Sequence, residues 1–256
     1  MVKFIDNMQT STVHNIDCFE WLRNYNGEKI SLVVTDPPYL IPNTNAGKNS
    51  IPDKVDWMKN LKSDTLTESY DIEEYAELLY KVQDGAINVY FFCNKLQIAK
   101  YFEVYVGKYK CKYDILCWHK NNALPTFNCK YLTDTEYILY FRNQGGCHPQ
   151  NYNDAKTWFI QDINITDKKK YGHPTIKPLN IVQTLIRNSS NENDLICDTF
   201  VGSGTTRVAA YNEKRRFIGC ELNKEFFDMQ ENRYLQECFG RYVTDNGKTI
   251  TQLGLF

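Results

Sequence analysis

The sequence predicts an α/β fold, a largely parallel sheet covered on both faces by helices. Three observations predict it. Short apolar, β-branched runs alternate along the chain with stretches of helical period. One such run, residues 31–39 (SLVVTDPPY), ends abruptly in an acid, two prolines and a tyrosine. Another, at 194–198, opens into a Gly-Ser-Gly turn and a helix, and an acid, Glu221, stands about twenty residues further on.

Taken in order, residues 13–16 form a short strand, and CFEWLRNY supplies an amphipathic helix that stops at Asn26-Gly27. Leu32-Val33-Val34-Thr35 is apolar on both faces, as a buried parallel strand must be. Pro37 and Pro38 have no N–H to donate, so the chain leaves the sheet at Asp36 and carries a carboxylate and a phenol ring beyond the strand's carboxyl end. Residues 40–69 are polar and aperiodic, a length of loop that compact domains keep mainly for function. Ile72, Tyr75, Leu78 and Leu79 fall on one face of a helix over 71–82. A strand (86–93), a helix (95–106) and two strands (113–118 and 136–141) follow. Residues 143–172 read as loop. A helix over 177–187 carries Pro178 in its first turn. The strand 194–198, a helix from Thr205, a strand over 216–221 and a last helix from Lys224 complete the alternation.

Gly202 and Gly204 let the backbone turn sharply and come close to a ligand. The helix that starts at Thr205-Thr206 points its amides at the same place and favours an anionic group. Glu221, at the end of the next strand, is placed to accept hydrogen bonds from ribose hydroxyls. Together these describe an adenosine-type cofactor site. The loop is not GxGxxG and no Walker lysine follows it, which argues against dinucleotides and ATP.

Composition sets the outer limits. The 256 residues are 42% hydrophobic and 24% charged, as in a globular protein that buries its own core. No apolar run approaches about 18 residues and the N-terminus has no signal-peptide pattern, so the expectation is a cytoplasmic protein with no membrane partner. The nine cysteines lack CxxC spacing and fall mostly in strand-like runs, and the four histidines are scattered. They predict reduced, buried thiols and no metal. Net charge is −1, so any nucleic-acid contact must be local, and Lys168-Lys169-Lys170 is the compact basic run available for it.

DPPY at 36–39 and DTFVGSGTT at 198–206 in one chain resemble the S-adenosylmethionine-dependent amino-group DNA methyltransferases. The motif order resembles their circularly permuted β class. HPTIKP (173–178), NIDCFEWL (15–22), CWHKNN (117–122) and TEYILYFRN (135–143) are similar to further family blocks. The resemblance implies a Rossmann-like class I fold with a seven-stranded, mostly parallel sheet in which the two motif strands lie side by side. It also implies methyl transfer to adenine N6 in double-stranded DNA after base flipping, with N4-cytosine methylation the runner-up. A non-catalytic binding module is the alternative of another class, and the intact DPPY argues against it.

By the family's pattern Asp36 and the Pro37 carbonyl grip the amine, Pro38 stiffens the turn and Tyr39 stacks on the base. Around the cofactor the resemblance implies Asp17, Asp36, Thr175, Lys177, Asp198, Phe200, Gly202, Ser203, Gly204, Thr205, Thr206 and Glu221. Lys177 reads equally well as a solvated helix residue, and His173 as structural. Residues 1–240 would form the catalytic domain, with 40–70 a DNA-engaging loop and 143–172 a short target-recognition insert. The tail 241–256 ends in Gln252-Leu253-Gly254-Leu255-Phe256, which resembles the peptide that docks proteins on the bacterial sliding clamp. Deleting 252–256 should abolish clamp pull-down. Relatives of this class are often homodimers, which adds a second copy to the expected partners.

Overall fold

A computed structural model of the chain describes residues 11–39, 70–123, 131–172, 175–243 and 249–251. The DNA-engaging loop expected at 40–70 (Tyr70 excepted), His173, and the clamp peptide with Gln252, Leu253, Leu255 and Phe256 lie outside them.

The elements run β1 (Ser11–His14), α1 (Cys18–Asn24), β2 (Leu32–Thr35), α2 (Ile72–Val82), β3 (Asn88–Cys93), α3 (Ile98–Phe102), β4 (Lys112–His119) and β5 (Thr135–Arg142). Then come β6 (Trp158–Ile160), α4 (Ile165–Tyr171), α5 (Leu179–Ser189), β7 (Leu195–Asp198), α6 (Thr205–Asn212), β8 (Arg216–Cys220) and α7 (Lys224–Phe239). A short antiparallel pair, β9 (Arg241–Val243) with β10 (Thr249–Thr251), follows.

Eight strands form one sheet in the order β1-β8-β7-β2-β3-β5-β4-β6. Only β5 runs against its neighbours. The central strands β2, β3 and β7 are buried at every residue, which is why they read as unbroken apolar runs. Alternation then divides the core. Val33, Val89 and Phe91 face α1, α2 and α3 with Leu22, Tyr75, Tyr101 and Tyr105. Leu32, Val34, Tyr90 and Phe92 face α5 and α6 with Ile181, Leu185 and Ala209. Each fully buried ring of this kind contributes about 1.5–3 kcal/mol.

Caps set the helix starts. Asp17 accepts from the amides of Phe19 and Glu20 at α1, Asp71 from those of Glu73 and Glu74 at α2, and Asn223 from those of Glu225 and Phe226 at α7.

Three expectations are corrected. The sheet has eight strands where seven were expected. The extra one is β6, which pairs parallel with β4 and forms that edge of the sheet. It lies in the segment read as loop, 143–172, which also forms α4. Three residues at a sheet edge carry too little alternation to signal a strand. Pro178 is the N-cap of α5, one position before the first turn. The helix expected over 95–106 is short, and it widens at Glu103–Lys108 into a π-helical turn that keeps Tyr105 buried and stacked on Phe141. Among the described residues no helix is long and apolar enough to cross a membrane.

Candidate active site

The two sequence motifs meet because β2 and β7 are neighbours, with Leu32 opposite Ile196 and Val33 opposite Cys197. The strands are parallel to each other, so Asp36 and Asp198 emerge together at the carboxyl ends of two central strands. Thr35 Oγ1 donates to Asp198 Oδ1 at 2.7 Å, and the Phe200 amide donates to the same oxygen at 3.0 Å. Asp198 is buried, and burial pushes its carboxyl up to about 6 against the hydrogen bonds from Thr206, Thr35 and the Phe200 amide. Its oxygens join the motifs to each other within the fold.

Past β7 the chain turns through Gly202 (φ 49°) and Gly204 (φ 76°). The Gly202 amide donates to Glu221 Oε2 at 2.8 Å, and the Asn223 amide donates to Oε1 at 2.8 Å. Half-buried Glu221 thus holds the loop through both of its carboxylate oxygens. Ser203, Thr205 and Thr206 are buried beneath the turn. Arg233, 1% exposed, donates from α7 to the Ser203 carbonyl at 3.0 Å and to Thr205 Oγ1 at 2.9 Å. Only glycine fits at 219, where a Cβ would lie 2.4 Å from the Asp198 carbonyl oxygen and 2.7 Å from Val201 Cγ2. Phe200 presents its ring to Tyr70 and Tyr75 at centroid distances of 5.7 and 6.0 Å, which makes one aromatic wall. The Asp17 carboxylate is engaged as the α1 cap beside this wall.

On the β2 side the surprise is Lys177. Its side chain is 8% exposed, and its Nζ lies 2.7 Å from Asp36 Oδ2 and 2.7 Å from Glu136 Oε1. It also donates to the Tyr39 hydroxyl at 3.1 Å and sits over the Tyr39 and Phe92 rings. The Tyr39 hydroxyl in turn donates to Glu136 Oε1 at 2.8 Å, and Lys120 donates to Glu136 Oε2 at 2.7 Å. Two carboxylates and two ammonium groups therefore balance in one buried cluster. Burial raises the Asp36 carboxyl, and Lys177 opposes that only in part. Burial pushes Glu136 up as well, yet two lysines outweigh it and bring it to about 2. Lys177 itself is raised by its two carboxylates, which overcome its own burial.

Asp36 Oδ1 is buried with no hydrogen-bond partner among the described residues, and so is Gln97 Oε1. Gln97 Nε2 donates to the Pro38 carbonyl at 2.9 Å, which pins the proline turn from below. A buried acceptor without a donor costs about 1–3 kcal/mol, so both sites would be stabilised by a donor brought from outside.

Of the basic run, Lys169 and Lys170 are exposed on α4. Lys168 is half-buried, and burial together with Lys120 and Lys177 lowers its ammonium. Thr175 is exposed two residues before Lys177. Four residues of the site were not singled out from the sequence: Gln97, Lys120, Glu136 and Arg233. Glu136 had a readable signal, an acid at the mouth of an apolar strand, which stays buried only with a cation beside it.

Residues 30–232 match the DNA methylase family, N6_N4_Mtase. The chain is 31% identical over 242 residues to the type II methyltransferase M2.DpnII of Streptococcus pneumoniae, covering 86% of this chain and 88% of that one. It is 29% identical over 250 residues to the DNA adenine methyltransferase YhdJ of Escherichia coli, covering 86% and 81%. The crystal structure of the M1.HpyAVI–SAM complex superposes with a TM-score of 0.63 at 25% identity, over 87% of this chain and 98% of that one.

Proposed function

The chain belongs to the DNA methylase family, and from that premise we propose that it transfers a methyl group from S-adenosylmethionine to the N6 amino group of adenine in DNA. The observation that carries the reading is the buried, unpartnered Oδ1 of Asp36, one strand away from the glycine loop. An exocyclic amine is a poor nucleophile because its lone pair is delocalised into the ring. Asp36 Oδ1 and the Pro37 carbonyl would each accept one of its N–H protons, which favours a pyramidal nitrogen with its lone pair free. The prolines fix the turn in advance, so little order has to be created when substrate arrives. Tyr39 would stack on the flipped base, with its hydroxyl already held by Glu136 and Lys177.

The cofactor suits the residues present. A half-buried carboxylate at a strand end, an aromatic wall and a glycine turn leading into a helix start match ribose hydroxyls, an adenine ring and a carboxylate tail. Glu221, Phe200 and the Gly202–Thr206 turn would hold it, with Asp17 near the adenine. Bound there, S-adenosylmethionine supplies an electrophilic methyl group on a sulfonium. Asp36 at the adjoining strand end adds negative charge beside that cation.

Asp36 in place of serine, and the likeness to a relative named for adenine, favour adenine over N4 of cytosine. Incubating the protein with tritiated S-adenosylmethionine and unmodified genomic DNA should label the DNA, and base-resolution mapping should find N6-methyladenine at one short sequence. Label on cytosine would overturn the base assignment, and no label would overturn the activity.

The DNA contact would run over Lys168, Lys169 and Lys170, the basic part of the 143–172 segment. A homodimer is part of the same reading. Tyr113, Ile115, Trp158 and Ile160 are 49, 41, 47 and 58% exposed on one face of β4 and β6, a stripe that starts at the margin of α3, where Tyr113 meets Phe102. A second copy over this stripe would bury it. Sedimentation should give a dimer for the wild type and a monomer for Ile115→Glu, and a monomeric wild type would end the idea.

A further inference from the structure

Nothing in the reaction as described calls for an acid on β5, yet Glu136 stands at the centre of the DPPY cluster. We infer that Glu136 is the positioning residue of the motif: its single oxygen Oε1 holds both ends of DPPY, the acid through Lys177 and the ring through the Tyr39 hydroxyl. This rests on the methyltransferase reading.

The geometry is specific. Glu136 is 8% exposed, and Oε1 takes Lys177 Nζ at 2.7 Å and the Tyr39 hydroxyl at 2.8 Å. Lys177 Nζ reaches on to Asp36 Oδ2 at 2.7 Å, which leaves Oδ1 as the free acceptor and fixes the carboxylate plane. Without Glu136 the ammonium would keep one carboxylate in place of two and the Tyr39 hydroxyl would lose the carboxylate it donates to, so both the amine grip and the stacking ring would gain freedom. Lys120 occupies the other oxygen, Oε2, and orients the carboxylate without touching the motif. The arrangement thus assigns distinct duties to the two oxygens of one side chain. Such preorganisation is worth most where the reacting atoms must meet within a fraction of an ångström.

A structural role alone would show in stability and cofactor affinity. The positioning role shows in turnover and its pH dependence. The charged and titratable groups around Asp36 are Lys177 before α5, Glu136 on β5, Asp198 on β7, Cys93 on β3, Tyr101 on α3 and Tyr39 beside it, with Lys120 on β4 and Lys168 on α4 beyond Glu136 and Lys177. Of these Glu136 raises the Asp36 carboxyl, so removing its charge lets Asp36 stay ionised to lower pH.

The test is Glu136→Gln assayed with tritiated S-adenosylmethionine on genomic DNA, alongside calorimetric cofactor binding. The expected result is a kcat lower by about tenfold to a hundredfold, with cofactor Kd and the circular dichroism spectrum unchanged and the acidic limb of kcat moved to lower pH. Glu136→Asp should recover part of the rate. Tyr39→Phe removes only the hydroxyl, and its loss should combine with that of Glu136→Gln less than multiplicatively, because both break the same contact. Wild-type turnover in Glu136→Gln with an unmoved pH profile would overturn the inference. If Glu136→Gln does not fold, wild-type turnover in Tyr39→Phe would overturn it instead. A wild-type protein that labels no DNA would point to failure of the methyltransferase reading itself.

Discussion

Asp36→Ala is expected to lower methyl transfer to DNA by at least about a hundredfold while S-adenosylmethionine still binds close to wild-type strength. The reason is the division of labour at the carboxyl ends of the central strands. The glycine turn and Glu221 follow β7 and β8, the aromatic wall adds Tyr70 and Tyr75 from the start of α2, and the hydrogen bonds of the turn do not pass through Asp36. In the proposed reaction Asp36 contributes an acceptor to the amine, and removing an aligned charged partner of the reacting group acts on the transition state. The substitution also leaves Lys177 with Glu136, so no buried cation is stranded. Parallel measurement of tritium transfer and calorimetric binding reads the two effects apart. Equal loss of both would indicate a folding defect, and full transfer would remove Asp36 from the reaction.

How much of this site the sequence revealed follows from where each residue gets its partners. β2 and β7 were legible because burial on both faces leaves an apolar run, and because prolines or glycines must end it where the chain turns into the site. The glycine loop and Glu221 were legible for a similar reason, since strand, turn, helix and acid follow one another in the chain. Lys177 was not. Its surroundings in sequence, a proline and a helix start, are those of a solvated lysine, and its partners lie at 36, 39 and 136 on other elements. Arg233 is the same case, an arginine on a long surface-type helix that proves 1% exposed beneath the glycine turn. Local pattern reports what a segment buries. It does not report which distant charge makes that burial tolerable.

That distinction gives the second large effect. In Lys177→Met the shared cation is gone, and Asp36 and Glu136 face each other across a buried space with only Lys120 left, on the far oxygen of Glu136. Breaking a buried ion pair from one side costs about 3–5 kcal/mol, a fall in Tm of roughly 10 °C for a chain of this size. The sign with pH follows from the protons. In the wild type Glu136 is held down to about 2, so its contribution is present at neutral pH and is lost as pH falls through that value. Without Lys177, burial and mutual repulsion raise both carboxyls above their unfolded values, and the folded state then takes up protons as pH falls. The deficit of the variant should therefore be largest near pH 8 and should shrink toward pH 5. Thermal unfolding at the two pH values measures it, and adding Asp36→Asn to Lys177→Met should return part of the lost stability by removing one of the two opposed charges. A deficit of equal size at both pH values, with no return from the second substitution, would mean that the aliphatic stem of Lys177 matters by its packing and that its charge does not hold the motif together.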